Sequence, residues 1–347
     1  MRITALVIAT YLLAGICSAA PARQRPQKNK LPELVYRHNG VYSIMEAAAA
    51  GDIQTINARV QEGCNVNQID EQGYSALHIA AAKNATRALE ILLKSGADSK
   101  LKTPDGKTAA DLARSGKAKQ LLQAAEEHRN REIEICEKAA AGDVNFLSEA
   151  IRKKGFNPNI LNKENNQSLL MIASRQGNPQ IVKALIDAGA DVNYVSPARR
   201  SVLHVSVDAD NAEIITLLLN AGANPMAQAG NKAVPLHDAV WSSRMNSIRA
   251  LLPAYKSINY SPPGGHNGTP IELAINRNFP HVVQLFIDAG IDLNDPEAQN
   301  PPLIQAAQTG KPEIVKLLLK AGADKNLRNK KGQRAADAAA DTCRNLL

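Results

Sequence analysis

Apolar positions along this chain keep two nested rhythms. Within stretches such as AEIITLLLNAG (212–222) and PEIVKLLLKAG (312–322) they recur at helical spacing and mark one face. Over a longer distance, the same apolar position returns at Ile44, Leu77, Ala110, Ile135, Leu170, Leu203, Leu236, Ile271, Leu303 and Ala336. The intervals are 33, 33, 25, 35, 33, 33, 35, 32 and 33 residues, so eight of nine share one period. A second motif keeps the same beat: GCNVN (63–67), GADSK (96–100), GFNPN (155–159), GADVN (189–193), GANPM (222–226), GIDLN (290–294) and GADKN (322–326). Such a period predicts stacked pairs of short helices joined by turns.

The repeated segments resemble the ankyrin repeat, with SALHIAA at 75–81, VLHVS at 202–206, PLHDA at 235–239 and GTPIELA at 268–274. The resemblance covers residues 41–347 and implies an all-α ankyrin-repeat solenoid of about ten helix-turn-helix units with short β-hairpin-like fingers. Residue chemistry agrees with it. The glycine opening GADVN suits the left-handed residue that ends a helix, and the Asp or Asn two residues later favours a turn. Pro270 suits a first helical turn, where its missing N–H is not needed. The pairs Ala80-Ala81 and Ala306-Ala307 let neighbouring helices approach closely.

The short interval divides the array. Unit three, PDGKTAADLARSG (104–116), has the degenerate form of a terminal repeat. The segment after it is rich in Ala, Glu, Lys, Leu and Gln, with no Gly or Pro before Gly142, which favours continuous helix. The expected organisation is an N-terminal block of three units at 41–116, a helical bridge at 117–141 and a C-terminal block of seven units at 132–347, closed by the Ala-rich cap 331–347.

The opening residues read as a targeting segment. Arg2, an apolar run from Ile3 to Ile16 and small residues to Ala22 make a cleaved secretory signal at 1–22, too short to serve as a membrane span. Cys17 raises lipidation, but Ile16 before it is not small. A basic, Pro-containing leader follows at 23–40. Export to the periplasm or the extracellular space is therefore expected, without a transmembrane span. The net charge of +8 falls to +7 without Arg2 and is scattered rather than striped, and aromatics are 3% of the chain. Nucleic acid, which asks for a basic stripe with stacking rings, is not the expected partner. Removal of Cys17 leaves Cys64, Cys136 and Cys343, an odd and widely separated set that is no disulfide framework. Cys64 and Cys136 are expected at small core sites.

Catalytic motifs are missing. There is no H-E-x-x-H, phosphate loop, G-x-S-x-G or G-x-G-x-x-G. The Gly-rich SPPGGH (261–266) lacks the lysine and helix of a phosphate cradle. His78, His204 and His237 all occupy the H of the repeated motif, and the resemblance implies that they are structural hydrogen bonders tying neighbouring fingers together. No Cys or carboxylate recurs beside them at metal-ligand spacing. Catalytic residues, cofactors, metals and a small-molecule substrate are not expected, and a monomer is.

By the resemblance, a partner lies along finger tips and exposed positions of the inner helices. Matched motif by motif, these are Tyr74, Lys83, Arg175, Gln176, Arg200, Asp208, Trp241, Ser242, Asn276, Arg277, Gln308 and Thr309. Trp241 is the sole tryptophan, and Trp and Arg dominate interface hot spots. Its other reading is a filler of a packing defect in unit seven, whose closing motif, KSIN at 256–259, lacks the glycine. The expected function is a non-catalytic adaptor acting after export on a protein partner. A secreted effector acting on host proteins is the second reading, and an enzyme on this scaffold the third.

Overall fold

The computed structural model describes residues 43–255, 268–295, 298 and 300–347. The signal and leader segments, KSIN and SPPGGH lie outside the described residues. The chain divides into two compact units, residues 1–125 and 126–347, with the boundary inside one long helix.

The first unit contains α1 (Ile44–Ala50), α2 (Ile53–Gln61), α3 (Ala76–Ala82), α4 (Thr86–Lys94), α5 (Ala109–Leu112) and the start of α6 (Gly116–Ala140). The second continues from α6 through α7 (Val144–Arg152), α8 (Leu169–Gln176), α9 (Pro179–Asp187), α10 (Val202–Ser206) and α11 (Ala212–Asn220). It then adds α12 (Pro235–Trp241), α13 (Met245–Leu251), α14 (Pro270–Asn276), α15 (Pro280–Asp288), α16 (Pro302–Gln308), α17 (Pro312–Lys320) and α18 (Ala335–Ala338). A 3-10 segment, Asp341–Leu346, follows α18. No sheet forms among the described residues. The fingers are held by single antiparallel bridges, Ile69 to Ser75, Leu161 to Ser168 and Val195 to Ser201. The fold is the all-α ankyrin solenoid that the repeats imply.

Local chemistry starts each inner helix. Ser75, Ser168, Ser201 and Thr269 cap α3, α8, α10 and α14 by accepting a backbone N–H in the first turn. Where no hydroxyl caps, Pro235 and Pro302 open α12 and α16 with a ring that already has helical φ. Four of the second helices, α4, α9, α11 and α17, bury an i, i+1, i+4 triplet: Ala88, Leu89 and Leu92; Ile181, Val182 and Leu185; Ile214, Ile215 and Leu218; Ile314, Val315 and Leu318. Each triplet packs under the alanine-lined inner helices, so the core runs as a continuous band through each unit.

The histidines take the predicted role. In His78, Nδ1 accepts from the Ser75 backbone N–H at 3.2 Å, while Nε2 sits 2.9 Å from the Leu101 carbonyl in the next finger. His204 and His237 repeat this toward the carbonyls of Ala233 (3.0 Å) and Gly268 (3.1 Å). With Nδ1 accepting, the neutral ring must carry its proton on Nε2 and donate it onward.

A second ladder was not anticipated. The last Asn of the closing motif reaches into the following unit with both ends of its amide. Asn193 donates to the Gly222 carbonyl at 3.0 Å and accepts from the Asn224 N–H at 2.8 Å. Asn67, Asn159 and Asn294 make the same pair of bonds to Gly96 and Asp98, Gly189 and Asp191, and Gly322 and Asp324.

One core expectation fails. Cys136 is buried, but Cys64 is exposed. The equivalent Ala190, Ala223 and Ala323 are buried where one pair of helices stacks on the next, whereas no described pair stands before α1 to cover Cys64.

Candidate functional site

Except for Arg200, in the finger before α10, the expected partner residues of the second unit sit at the C-terminal ends of α8, α10, α12, α14 and α16, where successive inner helices bring them side by side. From α8, Arg175 places Nε 3.4 Å from Asp208, which follows α10. Asp208 is also 3.9 Å from Arg200, and Arg200 lies 2.9 Å from Asp238 on α12. Arg200, Asp208 and Asp238, with Trp241 and Ser242, line a groove of about 420 Å³ between two fingers.

At the far edge of this groove stands Trp241, with 53% of its surface exposed. The guanidinium of Arg277, from the end of α14, lies 4.0 Å from the centre of its ring and donates to its carbonyl at 3.4 Å. The same guanidinium is 5.7 Å from the Phe279 ring. Trp241 is thus no filler of the core: its exposed ring is steadied by a cation from the next unit.

Beyond Arg277 the face becomes uncharged. Asn276 accepts from Gln305 at 2.6 Å, Asn300 donates to Gln305 and, at 3.0 Å, to Gln308. Asn276 and Gln308 are exposed. Two expected contact residues are instead committed within the fold: Gln176 donates to the Ala140 carbonyl at 2.6 Å, and the Thr309 hydroxyl to the Gln305 carbonyl at 2.8 Å. In the first unit, Tyr74 is half-buried and edge-on to His78 at 6.2 Å, and Lys83 is exposed at the end of α3.

Arg200 is held within the fold on two sides. Its guanidinium is engaged by Asp238 and by the His204 carbonyl, both at 2.9 Å, so it braces the groove. Asp238 and Gln305 were missed because, on the inner helices, only the residues at the ends were matched. Each lies three residues before a matched one, Trp241 or Gln308, and therefore on the same helical face. That spacing was available in the sequence.

Burial shifts several titratable groups of the two units. Burial pushes the Cys136 thiol up to about 11, away from a reactive thiolate. Burial holds His78, His204 and His237 below the ordinary histidine value, and it raises Glu272, which is tied to the Thr269 N–H at 3.0 Å. Among the described residues no group of three or more His, Cys, Asp or Glu side chains is placed to hold a metal, and no helix is long and apolar enough to cross a membrane.

Comparison with known proteins agrees with the geometry. A family model described as ankyrin repeats (3 copies) matches residues 135–229 and 236–329, and another, ankyrin repeats (many copies), matches 60–113. The chain belongs to the ankyrin repeat family, whose repeats are protein–protein interaction modules. It is 34% identical over 152 residues to the ankyrin repeat protein FPV014 of fowlpox virus, covering 43% of this chain and 34% of that protein. It is 26% identical over 290 residues to alpha-latroinsectotoxin-Lt1a of Latrodectus tredecimguttatus, covering 68% of this chain and 20% of that protein. The chain therefore spans only a minor part of the length of these relatives. Among solved structures, the ankyrin repeat domain of Bcl-3 superposes with a TM-score of 0.52 at 21% identity, over 60% of this chain and 94% of that one, a likeness of fold.

Proposed function

We propose that this chain is a non-catalytic interaction module that holds a protein partner on the face formed by the ends of α8, α10, α12, α14 and α16. The observation that carries this reading is the exposed Trp241 ring with the Arg277 guanidinium 4.0 Å from its centre. A large apolar ring kept in water gains free energy only when something covers it. Stacking also orders the ring beforehand, which lowers the entropy lost on binding. The short apolar opening segment supports export, with action in the periplasm or outside the cell.

The test is affinity capture from the exported fraction with the full chain and with Trp241→Ala. Partner recovery is expected to fall at least about tenfold in the variant, as for a hot-spot aromatic. Equal recovery by both proteins would refute this face as the binding site.

A further inference from the structure

The charges around Trp241 narrow the chemistry of the partner. Resting on the interaction reading above, we propose that this face takes an extended acidic segment of the partner protein, with one carboxylate seated on Arg277 beside the Trp241 ring.

Arg277 is the unspent cation of the cluster. Three guanidiniums, Arg175, Arg200 and Arg277, share the face with two carboxylates, Asp208 and Asp238. Both carboxylates are taken by Arg175 and Arg200, so neither is left for Arg277, and no carboxylate pairs with Arg277 among the described residues. At 4.0 Å from the ring centre the guanidinium lies against the indole, a cation–π contact that does not itself consume an N–H donor. Among the described residues only one of those donors is engaged, in a long 3.4 Å bond to the Trp241 carbonyl. A carboxylate matches the remaining fork bidentately.

A second cation lies on the finger that precedes α10. Arg199 is exposed at φ +57°, a left-handed turn position, and no ion pair holds its guanidinium among the described residues. On the other side of Arg277, the Asn276 and Gln308 amides offer both donors and acceptors, which suits the backbone of an extended chain. A basic segment would meet Arg199 and Arg277 with like charge. A neutral one would cover Trp241 but leave the fork unpaired.

The experiment is selection of a displayed library of random linear peptides on the full chain, with Trp241→Ala as counter-selection. Peptides retained by the parent and lost on Trp241→Ala are expected to be rich in Asp and Glu. Synthetic copies should bind at least about tenfold more weakly to Arg277→Glu, the loss expected for one charge-assisted pair. They should also bind more weakly to Arg277→Lys, which keeps the charge but loses the fork and the stacking. Far-UV circular dichroism confirms that each variant folds. If the Trp241-dependent peptides are neutral or basic, or bind Arg277→Glu as tightly as the parent, the acidic-segment inference falls while the interaction face stands. If no Trp241-dependent peptide emerges, both fall.

Discussion

Arg200 and Asp238 join two successive repeats: Nη2 of Arg200 lies 2.9 Å from the Asp238 carboxylate and donates, at the same distance, to the His204 carbonyl. Both side chains are partly shielded from water, with 33% and 26% exposed, so the pair is less screened than an open surface bridge. Arg277, by contrast, faces solvent.

These two arginines should therefore separate in a stability measurement. Arg200→Ala is expected to cost about 1–2 kcal/mol, because it leaves Asp238 short of its partner. Arg277→Ala should cost no more than about 1 kcal/mol, the scale of an exposed cation–π contact. Urea midpoints of the two variants decide the matter, and equal losses would place Arg277 among the structural residues.

Trp241 is the sole tryptophan, so its fluorescence reports on this face alone. The free protein should emit like a solvated indole and be readily quenched by acrylamide. Trp241→Ala should change stability by no more than about 0.5–1 kcal/mol, since it opens no cavity. A loss of about 3–5 kcal/mol, typical of a truncated core aromatic, would contradict the exposed position.

The buried histidines make stability depend on pH. Burial holds the pKa values of His78, His204 and His237 below that of a solvated histidine, near 6.5, so between the two values the unfolded chain binds more protons. Stability from this source is complete above about pH 6.5, falls as pH drops below it, and levels off below the folded values. Protonating Nδ1 would also set an N–H against the Ser75, Ser201 or Val234 N–H that it now accepts. Urea melts at a series of pH values should show this slope. Replacing His204 with Gln should reduce it, and an unchanged slope would exclude His204 as a contributor.

The asparagine ladder predicts a coupled defect. Asn193→Ala removes one donor and one acceptor between adjacent units, leaving the Gly222 carbonyl and the Asn224 N–H to water. A loss of about 1–2 kcal/mol is expected for the two bonds. Because repeats are stabilised mainly by nearest neighbours, hydrogen exchange should quicken first around 189–224. Uniform quickening through the second unit would instead mean that it opens as one body.

Much of this protein was legible in its sequence because a repeat turns spacing into contact. Residues one period apart are stacked neighbours, so the period placed Trp241 and Arg277 on neighbouring helix ends and assigned His78, His204 and His237 one shared role. Helix starts were equally local, set by Ser and Thr caps or by proline within a single turn. The tertiary structure decided how the reaching side chains are spent. Arg200 and Arg277 were both matched to the partner face, yet one finds a carboxylate and a carbonyl within 2.9 Å and the other lies against an indole. Such choices depend on side-chain reach across 36 or 38 residues of chain, which a period does not encode. Cys64 shows the same limit, for its position in the motif matches buried alanines, and only the presence or absence of a covering neighbour determines whether water reaches it.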